Sequence, residues 1–209
     1  AYTCRIVDVP ASTGYGEPIQ RVFKFRDGER VVGAVSLDPR VMAGITPAAE
    51  GEPAPAHAVA VTTDGYALRF NLDAFLDPST RAGRRYARSA EGAEVVGVSV
   101  VNGTETMIVA TAGARAVLCP VEEINYLAGP GRGVILIKLT SDEDRVLGFV
   151  ASRGDRDLLT VETSRGAEQT ISTAKYEVTG RGGRGRELLQ RGQFVRVIPT
   201  PPEVPQLAE

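Results

Sequence analysis

Four stretches of this chain carry the same landmarks in the same order, and that repetition restricts the fold more than any other feature. Three of them open on an apolar alternation broken by a turn: "AHAVAVTTDGYALRF", "TMIVATAGARAVL" and "DLLTVETSRGAEQTI". Alternation with a period of two marks a strand, so each line reads as strand, turn, strand. A threonine precedes each turn glycine: Thr63 before Gly65, Thr111 before Gly113, Thr163 before Gly166. The glycine is expected to supply the positive φ of a tight hairpin. An apolar–acidic step follows in "IVDV", "NLDAF" and "PVEEI". Next comes a glycine-bearing loop: "STGYGEP", "STRAGRR", "AGPGRGV" and "TGRGGRG". Each unit closes on a hydrophobic pair in "ERVVGAV", "AEVVGVSV", "DRVLGFV" or "QFVRVI".

A unit of about 50 residues with several short strands predicts an all-β, propeller-like array of about four four-stranded blades. A small sheet cannot bury both faces alone, and stacking units around an axis buries them. A β-sandwich or barrel is the alternative. Composition agrees with short strands and tight turns: 43% apolar residues, no tryptophan, and 23 glycines with 13 prolines. The repeats are expected at 1–36, 57–100, 101–152 and 153–198, within one domain spanning 1–198. The first copy lacks an opening strand and turn glycine, so the chain is expected to start inside a repeat. Residues 37–56, rich in proline and alanine, read as an inserted loop. Residues 199–209 read as an extended proline-rich tail.

Catalytic constellations are missing from the sequence. His57 stands alone beside a proline-rich stretch, and Cys4 and Cys119 form no CxxC pair, so no metal site and no catalytic residue is expected. The two thiols read as buried and free, with a disulfide between them as the alternative. Neither "SRGAEQT" nor "GRGGRG" has the spacing of a phosphate loop, and no cofactor is expected. No apolar run reaches the length of a membrane helix.

What remains is the basic knot "TGRGGRGREL" on a chain of net charge −2. Residues 151–198 hold nine Lys and Arg against six Asp and Glu, a local surplus of +3. Arginine presents a planar fork of donors that grips phosphate oxygens in pairs, and glycine lets the backbone approach an anion. Arg181, Gly182, Gly183, Arg184, Gly185 and Arg186 are therefore the leading candidates for a phosphate clamp. If the glycine loops share one rim, Arg81, Arg84, Arg85 and Arg88 of copy two and Arg132 of copy three join them. Arg69 and Arg115, just past the hairpin turns, and Lys175 are candidates for the same face. Arg145, Arg153 and Arg156 lie among acidic residues and read as ordinary surface ion pairs.

The ordered set of landmarks resembles the C-terminal domain found in the A subunits of bacterial DNA gyrase and topoisomerase IV. "TTDGYALRFNLDAF" resembles that family's strand–turn–strand opening, and "GRGVILIKLTSDEDRVLGFV" its closing strands. "AYTCRIVDVPASTGYGEPIQRVFKFRDGERVVGAV" is similar to the same part of another repeat. The resemblance implies a β-pinwheel whose blades exchange a strand or hairpin with a neighbour, and a basic outer rim around which double-stranded DNA bends. It implies a non-catalytic accessory domain in a nucleoid-associated cytoplasmic location. Its implied partners are the rest of the topoisomerase A chain and the ATPase chain of the same enzyme. The family's seven-residue arginine–glycine motif is matched at Arg181–Gly185, departs at Thr179 and Gly180, and stands here in the last copy. The alternative function is a propeller-like module that binds another protein.

Overall fold

The computed structural model describes residues 1–9, 13–43 and 57–200. Within them the chain is built of antiparallel sheets with little helix. The second repeat opens on the hairpin β1 (His57–Thr62) and β2 (Tyr66–Asn71) and closes on β3 (Val95–Val101). The third opens on β4 (Thr106–Thr111) and β5 (Arg115–Pro120). It continues through an arm holding β6 (Tyr126–Leu127) and β7 (Val134–Ile135), and closes on β8 (Val146–Ser152). The fourth contributes β9 (Leu159–Thr163), β10 (Glu168–Ile171), the short β11 (Arg186–Glu187) in its arm, and β12 (Phe194–Val197).

Each of these arms leaves its own repeat and pairs with the repeat before it. β6 runs parallel to β2 and β7 antiparallel to it, so the arm of repeat three closes the sheet β3–β1–β2. β11 pairs with β5 and closes the sheet β8–β4–β5 in the same way. The arm of repeat two lies along residues 1–3, where Ser79 N donates to Thr3 O at 2.9 Å and Arg84 N to Ala1 O at 2.8 Å. The last sheet has the order β10–β9–β12. One direction of exchange, repeated three times, makes the array a pinwheel.

Burial explains the strand sequences. Val59 and Val61 of β1 pack with Met107 and Val109 of β4, while Ala58 and Ala60 face the opposite way against Leu68 and Phe70. Ile108 and Ala110 of β4 face Leu159 and Val161 of β9. Core clusters lie on both faces of β1, which is buried along its whole length. The closing strands lie innermost and touch each other across glycines. A Cβ added at Gly97 would meet Phe149 at 3.2 Å, and one at Gly148 would meet Val197 Cγ2 at 2.8 Å. The arms, at the opposite edges of the same sheets, therefore lie outermost.

The all-β pinwheel class holds, with differences in detail. The first repeat contains no hydrogen-bonded strand among the described residues. The positive φ in the hairpin of repeat three falls on Ala114 (54°), not on Gly113. Gly113 answers a different need: the buried Asp144 carboxylate accepts its N–H at 2.7 Å, and a Cβ there would stand 2.9 Å from Asp144 Oδ2. The equivalent turn threonines are Thr62, Thr111 and Thr163, whose carbonyls accept from Gly65, Ala114 and Gly166. Of the inserted segment, residues 39–43 form a short helix and 44–56 lie outside the described residues, as does the tail from 201 onward.

Candidate nucleic-acid interface

The arginine–glycine loop of repeat four is an arm, and its geometry is dictated first by exchange. Gly185 has φ 66°, and a Cβ there would overlap the Ala116 carbonyl and stand 3.1 Å from Ile137 Cδ1. Gly133 in repeat three repeats the arrangement at φ 80° over Ala67. Gly182 donates its N–H to Leu136 O at 2.8 Å, and Gly183 O accepts from Lys138 N at 2.8 Å. Gly185 and Gly133 admit one arm against another strand, a need of the fold that stands apart from any anion, whereas a Cβ at Gly182 or Gly183 would meet nothing closer than 3.8 Å.

The candidate cations separate into two groups. In the first, the side chain is spent on the protein. Arg181 donates through Nε to Glu123 O at 2.6 Å and through Nη1 to Ile135 O at 3.3 Å, and its N–H reaches Glu123 Oε2 at 2.9 Å. Arg69 is 4% exposed and donates to Ile124 O at 2.6 Å and Glu122 O at 3.2 Å, with Nη1 3.1 Å from His57 Nε2. Arg115 holds Gly185 O at 2.9 Å and Glu187 at 3.0 Å. Arg132 pairs with Asp64 at 3.1 Å, its guanidinium 3.8 Å from the centre of the Tyr66 ring. Arg84 donates to Asp77 O and Pro78 O, and Arg81 to Arg21 O. A sequence search for cations has no signal to tell such latches from free charges.

In the second group the charge faces solvent. Arg85, Arg88 and Arg184 are exposed, with no side-chain hydrogen bond or ion pair among the described residues. Lys175 and Arg186 flank the Tyr176 ring at 5.4 and 5.9 Å, within cation–π range. Tyr176 and Arg186 line a cleft of about 420 Å³ with Ala116, Leu118, Glu177, Thr179, Gly185 and Leu188.

Sequence motifs do not single out two further cations, Lys24 and Lys138. One bond recurs between successive arms: Lys24 N to Arg81 O, Arg88 N to Gly131 O, and Lys138 N to Gly183 O, at 3.0, 2.8 and 2.8 Å. The donor is a basic residue every time, and all three side chains are exposed without a partner among the described residues. Only the observed exchange reveals that Lys24, Arg88 and Lys138 stand at one place in three repeats; aligned loop motifs do not. The position in repeat four is Gln190, on the same arm as Arg184 and Arg186.

Among the described residues, no three His, Cys, Asp or Glu side chains are grouped to hold a metal ion. No helix among them is long and apolar enough to cross a membrane. Both thiols are free, but Cys4 is exposed against the expectation of two buried thiols; Cys119 is buried, and burial, with the nearby Glu123 charge adding, pushes its thiol up to about 12.

An array of small sheets, two of them completed by an arm of the next repeat, defines the chain as a β-pinwheel. A family model described as the DNA gyrase C-terminal domain, beta-propeller, matches residues 57–102 and 105–153. The DNA gyrase A subunit of Aminobacterium colombiense is 30% identical over 179 residues, covering 85% of this chain and 20% of that protein. The DNA gyrase A subunit of Helicobacter pylori strain J99 is 30% identical over 142 residues, covering 66% of this chain and 17% of that protein. Among solved structures, the C-terminal domain of DNA topoisomerase IV superposes with a TM-score of 0.73 at 14% identity, over 88% of this chain and 54% of that one. The DNA gyrase A C-terminal domain superposes with a TM-score of 0.62 at 16% identity, over 88% and 58%. The chain belongs to the family of C-terminal pinwheel domains of bacterial type IIA topoisomerase A subunits. It spans about one fifth of the length of the curated relatives it matches.

Proposed function

We propose that this pinwheel binds and bends double-stranded DNA along its outer edge, as an accessory domain without catalysis of its own. In a full enzyme it guides the transported segment, together with the remainder of the topoisomerase A chain and a separate ATPase chain. The observation that carries the reading is the recurrence of Lys24, Arg88 and Lys138 on successive outer arms. Each is unpaired among the described residues, and each is fixed by the same backbone bond. Arg184, Arg186 and Lys175 extend the series onto repeat four. A duplex offers phosphates at regular intervals, and a curved edge with one cation per repeat meets them without reading bases. Bending costs roughly 1–6 kcal/mol over 20–30 bp, so several such contacts together must offset it.

The test is duplex binding across a salt series. Wild type is compared with the K24A/R88A/K138A triple variant and with R184A/R186A. Each lost phosphate contact reduces the slope of log affinity against log salt by about 0.9, so the triple variant should lose up to about 2.7. Wild-type binding with an unchanged slope in both variants would refute the edge assignment. Absence of wild-type binding at low salt would move the reading to a protein partner.

A further inference from the structure

The arms of repeats three and four differ by one residue, and the difference opens a cleft. The turn that starts each arm is fixed by the same bond, Ile124 N to Val121 O and Lys175 N to Ser172 O, at 3.0 and 3.2 Å. Each path then runs to a glycine that crosses the preceding repeat, Gly133 over Ala67 and Gly185 over Ala116. Nine positions separate Ile124 from Gly133, and ten separate Lys175 from Gly185. In repeat three the shorter path lies flat on β2: Arg69 N donates to Asn125 O at 2.9 Å, and β6 follows in parallel. In repeat four Thr179 N and Gly180 N reach Leu118 O at 2.8 and 3.3 Å, and the path holds no counterpart of β6 among the described residues. The extra residue is taken up within 176–178, where the chain stands off β5 and leaves Val178 exposed.

The cleft of about 420 Å³ lies beside this bulge. Ala116, Leu118 and Leu188 make its apolar floor. The Tyr176 ring is one wall, with Lys175 and Arg186 next to it. Leu118 adds a donor. The N–H and C=O of one strand residue point the same way, and Leu118 O faces the arm. Leu118 is 3% exposed, and its N–H has no acceptor among the described residues, where the equivalent Arg69 N has Asn125 O. A buried donor left unmet is costly, so an occupant that brings an acceptor is favoured.

We propose that the cleft takes one unpaired nucleobase of a bound DNA strand. This rests on the duplex reading above and adds to it a preference for DNA in which a base has left the stack. A base has a flat face for the Tyr176 ring, acceptors on its edge for Leu118 N–H, and a phosphate on either side for Lys175 and Arg186. Glu177, also on the cleft wall, supplies an acceptor for an exocyclic amine. An aliphatic ligand would leave Leu118 N–H unmet, and a lone phosphate would leave the ring and floor uncovered. Sharp bends unstack base steps, which presents such a base where the domain acts.

Binding is measured to three duplexes of one sequence: fully paired, with one bulged adenine, and with the same bulge lacking its base. The abasic bulge bends as readily but has nothing to stack, so the ratio of the last two isolates the base. Wild type should bind the adenine bulge at least about fivefold more tightly than the abasic one, the worth of one base on an aromatic ring. Tyr176→Phe should keep that ratio, and Tyr176→Leu should bring it to about one. Deletion of Val178 restores the spacing of repeat three with the ring kept. It should let the arm close on Leu118, protect that amide from exchange and abolish the preference. Equal binding of the two bulges by wild type, or a preference that survives Tyr176→Leu or the deletion, would overturn the proposal and leave the edge assignment standing. Failure of wild type to bind even the paired duplex at low salt would refute the duplex reading along with it.

Discussion

Substituting Gly133 by alanine should unlatch the arm of repeat three. The residue sits at φ 80°, a conformation that costs an L-residue about 1–2 kcal/mol. The new Cβ would also overlap the Ala67 carbonyl and stand 2.9 Å from Leu68 Cβ, both in a strand whose other edge is fixed to β1. Neither backbone can yield, so the arm must rise. Rising breaks the bonds from Leu136 N and Ile137 N to Gly65 O, at 2.8 and 3.2 Å, and the pairing of β7 with β2. Each bond is worth about 1 kcal/mol net. Full release would also expose the buried Leu136 and Ile137, at about 1.5–3 kcal/mol each. A partial lift should therefore cost about 3–5 kcal/mol. Urea unfolding followed by circular dichroism measures this, with G129A as control, because a Cβ at Gly129 meets nothing within 4 Å. The control should stay within about 0.5 kcal/mol of wild type. A Gly133→Ala variant as stable as the control would refute the claim that arm exchange holds the sheets together.

Two more outcomes separate structural from ligand-facing roles. Arg69→Ala removes a buried guanidinium that bonds the carbonyls of Ile124 and Glu122; it should cost about 2–4 kcal/mol in urea unfolding and leave the salt slope of duplex binding unchanged. A reduced slope in a folded variant would contradict the assignment. For Cys119, burial favours the neutral thiol, so its contribution is complete below the unfolded value and is lost as pH rises from about 9 towards about 12. Relative to Cys119→Val, wild type should lose up to roughly 4 kcal/mol of unfolding free energy across that window, and parallel pH profiles would rule the effect out.

The repeat, its strands and its class were legible because burial imposes a pattern that survives in sequence. Central strands packed on both faces need apolar residues throughout, and "HAVAVT" and "TMIVAT" show it directly. The exchange partners were not legible. Nothing local in "AGPGRGV" says that Gly133 lies over Ala67 of the previous repeat, because the contact is set by how one sheet is completed from the next. The turn of repeat three departs from its expected form for a related reason. Gly113 is demanded by Asp144, 31 positions away, which leaves Ala114 to take the positive φ.

The same distance between local motif and tertiary demand reshapes the reading of "TGRGGRG". An arm that must cross another strand at van der Waals contact needs glycine, and one that must be held needs a multidentate donor. Gly185 and Arg181 meet those needs, and similar devices serve repeat three through Gly133 and Arg132. The motif is therefore a latch before it is a clamp. Its free charge is carried by Arg184 and Arg186, which the latch holds outward. Lys24, Arg88 and Lys138 are fixed by the same arm-to-arm bond without any arginine–glycine knot. Exchange thus sets the spacing of cations on the outer edge, and a duplex following that edge would meet charge at the period of the fold. Under the proposed function, loosening one latch should disturb phosphate contacts on the adjoining arm before it unfolds a sheet, because the arm carries both the bond and the charge.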